Sequence, residues 1–545
     1  MAVNSVLLQP GWMSGTLLSD VIVAFILVVV VKSVVVPTVN FFNAQRKLWK
    51  TVPSPTPHWL LGHVLQLPHN DAGYRKRVEM IRDFPFMFCY QISWFVNQVF
   101  LYHPEPIKKL LTTQNPKGPG YENVKHLLGN GLITSSGKKW HRHRHMLTPV
   151  FYFEVLKTYV KTFNESIPLL TDWLEKVAES GESGDICKQL AILSYSNLSQ
   201  CVMSQPAYKD GTPMPYAKAI ESFSQTSMKR LYNPLMWSDK VFFRTKMGKR
   251  WKEARRRQRE KIWVIPDTLH PMTQRSSSII RDRKQVLARS DKNERVSCAT
   301  EDGTFFSFQR RKNKSLDFLD MLIQAKDEKG QGLGEQDIVD EVTTMFSAGQ
   351  ETTANAMSWF SYLLAKNQDW QEKCRAEVTE VCGSDGEILW EDIPKLKILS
   401  LCVKETLRLY PVASIVGRTL TSDMTFKNPY NSTQTVTLDK GTAVVINFHT
   451  LHRHPDFWED PEAFDPERFT AERSKDRPPF AYLPFSGSYR NCIGQNFALN
   501  QIKVTFCHIL RRFRLRLPPG VKNIAMDPAL TLQPHNGLPV KVEKI

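Results

Sequence analysis

The chain has no CxxC pair, no other zinc-type spacing and no internal repeat. Its cysteines (Cys89, Cys187, Cys201, Cys298, Cys374, Cys382, Cys402, Cys492 and Cys507) are scattered and odd in number. Such a set excludes a disulfide framework and reads as reduced thiols facing the cytosol. Acidic residues fall short of basic ones, 54 against 72, so the net charge is +18. That imbalance suits an anionic membrane face, an acidic protein or substrate, or nucleic acid. It does not choose among them. A mean hydropathy of -0.33 excludes a multi-span membrane protein. With 42% hydrophobic and 23% charged residues, the chain is not disordered, collagenous or a small stapled scaffold. Its 33 prolines argue against a coiled coil. At 545 residues it holds several domains or one large α-rich unit.

One long apolar run stands at the amino terminus. Residues 21–31 read VIVAFILVVVV, and Lys32 is followed by SVVVPTV. Counted from about Leu17 to Val36, the run has the roughly 20 residues that a span needs, with Asp20 and Lys32 reaching toward the interfaces. No Lys or Arg precedes Lys32, whereas Arg46, Lys47 and Lys50 follow. The positive side, expected in the cytosol, is therefore the carboxyl-terminal one. A cleaved signal peptide fits less well, because the first residues lack positive charge and no A-x-A-like site follows. A buried helix is the remaining reading. The expected division is a membrane anchor with a basic flank over 1–50, a stiff proline-rich hinge over 51–57 and a catalytic domain over 58–545. In that topology the four N-x-[ST] sites at Asn164, Asn197, Asn313 and Asn431 stay unglycosylated.

Helical periodicity is expected over 152–182, 335–366, 369–382, 396–410 and 494–513. The stretch 412–450 reads as β, with turn residues between TVTLDKG and AVVINFH. The fold class is mainly α with a minor β region. Residues 245–262 form a basic, helical run, and Arg310–Lys314 form a second basic stretch. Solvated faces account for both; nucleic-acid binding lacks the interleaved aromatics of a stacking platform. Residues 292–314 read as a mobile loop.

Four motifs carry chemistry. In 485–494, FSGSYRNCIG, Cys492 precedes a helical pattern whose positive end favours a thiolate. Arg490 adds charge, Gly487 and Gly494 admit something flat, and Phe485 can pack on its face. A thiolate ligand to haem iron fits; an inert buried cysteine is the plain alternative. Glu405 and Arg408 lie at i, i+3 on a helix, and Pro466-Glu-Arg468-Phe469 offers a second arginine. A buried Glu–Arg–Arg cluster would lock the fold; a surface ion pair is the commoner outcome. Trp140 and Arg144 lie one turn apart and can grip a carboxylate, with Arg418 a further candidate; an amphipathic helix face has the same spacing. Ala348-Gly-Gln-Glu351-Thr352-Thr353 interrupts an apolar helix. It suggests a kink, a water site and a proton relay, or else a helix-packing notch.

Together and in this order the motifs resemble the cytochrome P-450 superfamily over essentially the whole chain. Segments outside the haem motifs, HWLLGH (58–63), the run 131–166, LDFLDMLIQAKDEKG (316–330) and WEDIPKLKILSLCVKETLRLYP (390–411), are most similar to family four, the microsomal fatty-acid and eicosanoid hydroxylases. The resemblance implies a haem-thiolate monooxygenase on a P-450 fold with a single-span anchor in the endoplasmic reticulum membrane. Cys492 would be the axial iron ligand, and Trp140, Arg144, Arg418 and Arg490 would hold the haem propionates. Phe485 and Gly494 would border the haem. Glu351 and Thr352 would deliver protons to dioxygen, while Glu405, Arg408 and Arg468 are structural. Phe346, Ala348, Ile415 and Val416 are candidates for the substrate pocket.

The implied partners are NADPH–cytochrome P-450 reductase, cytochrome b5, O2, a lipophilic substrate and membrane lipids, with no nucleic acid. No GxGxxG follows a strand, so NADPH serves only through the reductase. Lys138, Lys139 and Arg142 are candidates to dock that acidic partner. Three departures from the family pattern stand out. Ala348 replaces a Glu that forms an ester to the haem, so haem b is expected to be non-covalent here. Ser488 replaces the loop glycine. Residues 256–267 look like extra sequence between two matched helices.

Overall fold

The apolar amino-terminal run is helical throughout its described length. In this computed structural model, α1 spans Gly15–Val30, a five-residue π-helical stretch spans Val31–Val35 and α2 spans Val36–Thr51. Pro37 lacks the N–H that an unbroken α-helix would use, and the wider π turn immediately before it absorbs the missing bond. The segment Ile22–Thr51 has no buried residue in its most apolar window. Residues 15–545 are described, apart from 60, 94–95, 206–225, 227–229, 231–235, 237, 254–271, 290–294, 300–304 and 310–315. The segment 256–267, the stretch Arg310–Lys314 and Asn313 therefore lie outside the described residues. The basic run is helical as far as it is described, over 246–253.

The proline segment is extended, as expected, but it is not a free hinge. Val52 is buried, Cys89 N–H donates to Pro53 O at 2.9 Å, and Ser54 Oγ donates to Cys89 O at 3.1 Å. The end of α2 is tied down too, by Lys47–Asp439 at 2.8 Å and by two bonds between Gln45 and Asn97. The backbone groups that proline cannot pair are used by the edge of the neighbouring strand.

That strand opens the main sheet. β1 (Met87–Ser93) pairs antiparallel with β2 (Val96–Leu101). The 292–314 segment is not simply a loop: β3 (Arg295–Ala299) and β4 (Phe305–Gln309) pair antiparallel in register. Alternation in RVSCA and FFSFQ was the signal available, and the flanking basic residues obscured it. β5 (Ile415–Thr419) lies antiparallel to β6 (Ala443–Asn447), and β6 lies parallel to β2, giving the order β1-β2-β6-β5. β7 (Met526–Pro528) and β8 (Leu532–Pro534) form a small hairpin near the carboxyl terminus.

The helical body is larger. α3 (Gly137–Leu147) and α5 (Ile186–Met203) lie outside the expected helical stretches, whereas α4 (Phe153–Ser166), α6 (Glu335–Lys366), α7 (Gln368–Cys382), α8 (Lys397–Leu409) and α9 (Gln495–Arg512) follow them. Asp185 caps α5 by accepting from Cys187 N–H. Glu335 and Asp337 in the first turn of α6 and Lys366 in its last complement the helix dipole. α5 and α6 pack against each other, and Gly349 leaves room for Leu198 of α5. A Cβ there would meet Leu198 Cδ2 at 3.0 Å. The packing-notch reading of Gly349 is thus realised. α6 is α-helical without a break from Glu335 to Lys366.

Two of the glycosylation sites are closed by packing. Asn164 is buried and its amide is bonded to Val160, Ile388 and His508. Asn197 is wholly buried in α5, whereas Asn431 is exposed.

Candidate active site

Cys492 sits between a short 3-10 turn (Ser488–Arg490) and the start of α9. The loop is clamped from both sides. Cys492 N–H donates to Phe485 O at 2.9 Å and Asn491 N–H donates to Ser488 O at 3.1 Å. Arg144 of α3 donates to Asn491 O at 2.9 Å and Asn491 Oδ1 at 2.7 Å. The two positions flanking Gly487 have left-handed backbone, Ser486 at φ +59 and Ser488 at φ +61, while Gly487 is extended at φ -153. The sequence departure at 488 thus puts an L side chain where glycine relieves strain. Gly487 has a different reason to be glycine: a Cβ would meet Leu483 Cδ2 at 3.0 Å. At Gly494 protein packing sets no such limit, since the nearest atom is 3.7 Å away.

The Cys492 side chain is accessible within densely packed surroundings. Burial pushes its thiol up; the Gly494 N–H and the Arg144 guanidinium pull it down and do not fully offset the burial. The expectation that Arg490 stabilises the thiolate is corrected here. Arg490 lies over the Trp140 ring at 4.4 Å and donates to Ser135 O at 2.6 Å, and the cation acting on Cys492 is Arg144. Arg144 in turn is committed to Asn491, so it clasps the loop and does not pair with Trp140 to form one carboxylate grip.

Arg490 belongs instead to a cluster of cations. Arg418 is 2% exposed and Arg490 9%. Lys117, which pattern reading missed, joins them through an isolated bridge to Arg418. Among the described residues none of the three has a salt-bridge partner. Burial pushes Lys117 well below the lysine range, and Arg418 and Arg490 push it further. Burial and Arg418 also bring Arg490 down to about 10. Arg490 Nη1 is buried without a hydrogen-bond partner. Three unpaired cations in one place are costly, and they suit a group that brings two carboxylates. Lys117 was the residue to notice in QNPKGPGYEN, but a lone lysine among turn residues gives no pattern until β5 is placed beside it.

Mid-way along α6, Met345, Ser347, Ala348, Gly349, Glu351 and Thr352 are partly accessible. Thr352 Oγ1 donates to Ala348 O at 2.5 Å, which satisfies the hydroxyl inside its own helix. Glu351 accepts from Thr531 Oγ1 at 2.6 Å. Of the four pocket candidates, Ala348, Ile415 and Val416 are partly accessible. Phe346 is not: it is fully buried and packs on Tyr195 at 5.6 Å, because it faces α5 and not the cavity side of α6.

The Glu405 cluster lies apart from this site and is fully paired. Arg408 donates to both carboxylate oxygens of Glu405 at 2.7 and 2.8 Å, and Arg468 donates to Oε1 at 3.1 Å. Asp465 N–H adds a fourth donor at 3.0 Å. The remaining guanidinium donors reach the carbonyls of His452, Pro461, Ala463 and Glu459. Two of the three docking candidates are spent inside the molecule, Lys139 on Asp337 at 2.6 Å and Arg142 on Asp327 at 2.7 Å. These pairs tie α3 to α6 and its preceding loop.

Comparison with known proteins agrees with this geometry. The family described as Cytochrome P450 matches residues 52–540. Leukotriene-B4 omega-hydroxylase 3 of Mus musculus is 32% identical over 511 residues, covering 92% of this chain and 91% of that protein. Cytochrome P450 4X1 of Homo sapiens is 33% identical over 511 residues and covers 93% of each. Cytochrome P450 4F2 of Homo sapiens is 32% identical over 515 residues, again 93% of each. In fold the chain resembles the crystal structure of cytochrome P450DA heme domain, with a TM-score of 0.73 at 22% identity, over 91% of this chain and 98% of that one. The chain therefore belongs to the cytochrome P450 superfamily, where it is most similar to family four, and it is a monooxygenase built to use a thiolate-ligated haem b.

Proposed function

We propose that this monooxygenase hydroxylates a fatty acid or related long-chain lipid at or near its terminal carbon. Electrons come from NADPH through a membrane-bound flavoprotein reductase, with cytochrome b5 as a second donor. The observation that carries the reading is likeness, over 92% of the chain, to a protein named as a leukotriene-B4 omega-hydroxylase. The enzyme is anchored in the endoplasmic reticulum membrane by the Ile22–Thr51 helix, with the catalytic domain in the cytosol. The unburied apolar helix and the basic residues on its carboxyl-terminal side support this. Exposed Trp49, Trp59, Leu61 and Leu65 extend the apolar surface beyond the span.

The residues fit the haem. Cys492 would supply the thiolate ligand, and Lys117, Arg418, Arg490 and the Trp140 indole would hold the two propionates, the anions that the cation cluster lacks. Arg144 holds the cysteine loop. Haem, when bound, supplies the one-electron and dioxygen chemistry. Glu351 and Thr352 hold and pass protons at the accessible stretch of α6. Glu405, Arg408 and Arg468 hold the fold.

Terminal C–H bonds are stronger than internal ones, so terminal attack needs a channel that hides the weaker bonds. Ala348 lines the accessible side of α6 and cannot form an ester to haem. Freedom of the haem loosens that channel, so more in-chain product is expected than from a Glu-bearing relative. The test is turnover with reductase, NADPH and a mixture of medium- and long-chain fatty acids, with products located by mass spectrometry. Terminal and near-terminal alcohols support the reading. Haem-loaded protein that yields no lipid product overturns it in favour of a sterol or xenobiotic substrate. Ala348→Glu is expected to give haem that resists acid–acetone extraction; extractable haem would place that side chain away from the haem edge.

A further inference from the structure

Three residues on successive turns of α6 reach one small element far along the chain. Glu351 accepts from Thr531 Oγ1 at 2.6 Å. Asn355, one turn on, donates through Nδ2 to the same oxygen at 2.9 Å. Trp359, a further turn on, donates through Nε1 to Leu532 O at 3.0 Å. Thr531 lies in the turn between β7 and β8 and is 7% exposed; Asn355 is 8% exposed. The turn is fixed on its other side as well, since Leu532 N–H donates to Val412 O at 2.8 Å, just beyond α8.

The donor arithmetic gives this arrangement a direction. A threonine hydroxyl has one proton and two lone pairs. The Asn355 amide can only donate through nitrogen, so it occupies a lone pair of Thr531. The single hydroxyl proton is then aimed at Glu351 Oε1. A carboxylate held at one oxygen has its plane set, and the direction of the other oxygen follows. A bond at 2.6 Å to a carboxylate is in the short range of charge-assisted hydroxyl donors.

We propose that Thr531, aligned by Asn355, is a positioning residue for Glu351, so that the orientation of the proton-carrying acid is set by the β7–β8 turn. The inference rests on the reading that Glu351 passes protons to the oxygen site. Productive turnover consumes O2, one substrate C–H, two electrons and two protons, and gives one alcohol and one water. If the protons are misdirected, O2 takes the same two electrons and two protons and leaves as hydrogen peroxide, with the substrate untouched. Mispositioning of Glu351 therefore appears as peroxide released per NADPH oxidised, without a matching change in substrate affinity.

The experiment uses full-length protein, reconstituted in membranes with reductase and NADPH and supplied with dodecanoate, with rates normalised to haem content. Thr531→Val removes the hydroxyl at nearly constant volume, and Thr531→Ser keeps it. The valine variant is expected to raise the peroxide-to-NADPH ratio several-fold with the dodecanoate KM within about twofold of the parent. The serine variant should stay near the parent. Independently of turnover, hydrogen exchange across 526–534 in the substrate-free protein should quicken in Thr531→Val and in Glu351→Leu, each of which removes the Thr531–Glu351 bond. The Thr531→Val/Glu351→Leu double variant should add little to Thr531→Val, because that bond is already lost there. If Thr531→Val leaves the peroxide ratio unchanged while Glu351→Gln raises it, the acid acts without Thr531 and the proposal is overturned. If Glu351→Gln also leaves it unchanged, the reading of Glu351 itself fails. Additive exchange in the double variant would show that the two side chains are not coupled.

Discussion

Replacing Glu405 by Gln tests the central claim about how this fold is held. The substitution preserves shape but replaces one carboxylate oxygen by an NH2 that donates. In the structure both oxygens face donors: Arg408 Nε and Nη2, Arg468 Nε and the Asp465 N–H. A fifth donor has nothing to receive it, and two guanidiniums that are 0% and 4% exposed lose their counter-charge. Removing one partner of a buried ion pair costs about 3–5 kcal/mol, roughly a fifth or more of a typical total of about 5–15 kcal/mol. For the roughly 490 residues of the matched domain, an unfolding entropy of about 2.1 cal/mol/K per residue converts that cost to a Tm lower by about 3–5 °C. The assay is thermal unfolding followed by loss of the carbon-monoxide-binding haem band, with half-lives at fixed temperature in case unfolding is irreversible. Glu391→Gln is the control. Its partner Lys157 is 2.8 Å away, but the side chains are 50% and 59% exposed, so a midpoint close to the parent's is expected. Equal midpoints for the two variants would refute the argument that burial, and not pairing as such, makes the Glu405 cluster a lock.

Arg418→Met should act with opposite signs on two measurements. Haem-free protein loses a repulsion that now depresses Lys117 and Arg490 and should unfold no earlier, while haem should transfer to apomyoglobin several-fold faster; slower transfer would remove Arg418 from the propionate site. Ser488→Gly frees a residue at φ +61 and should gain about 1 kcal/mol at most, because glycine's unfolded-state freedom offsets part of the relief; a lower Tm would mean that the serine hydroxyl is needed in the cysteine loop. Burial, then His454, holds His103 down to about 4, and burial, then Arg511, does the same for His508. Both stay neutral in the fold where an unfolded histidine at about 6.5 takes a proton. Their stabilisation is complete above that value and is lost as pH falls toward 4, by at most about 1.4 kcal/mol per pH unit for each, and less for the partly exposed His508. His103→Gln should flatten the fall of Tm between pH 6.5 and 4.5; an unchanged slope would show that the ring is hydrated.

Local chemistry was legible along the chain wherever it repeats at helical spacing or cannot be mistaken for anything else. The 32 residues of α6 and the helix after Cys492 follow from apolar periodicity, the anchor from an uncharged run, and the cysteine loop from glycine, arginine and thiol packed into ten residues. The hairpin of β3 and β4 was misread because two short strands among basic residues resemble a solvated loop until their pairing is seen. Phe346 was misplaced for a related reason. Position on a helix fixes an angle, but only the partner helix decides whether that angle faces a core or a cavity.

What tertiary structure alone decided is the assignment of charges and polar atoms to one another. Sequence named Arg144, Arg418 and Arg490 as equivalent cations; packing made Arg144 a clasp on Asn491 and the other two, with Lys117, a cluster without acids. Sequence placed Glu351 beside Thr352; the fold bonded it to Thr531, 180 residues away. Electrostatic and hydrogen-bond partners are chosen by distances of about 3 Å and by desolvation. Neither quantity exists along a chain until its distant segments meet.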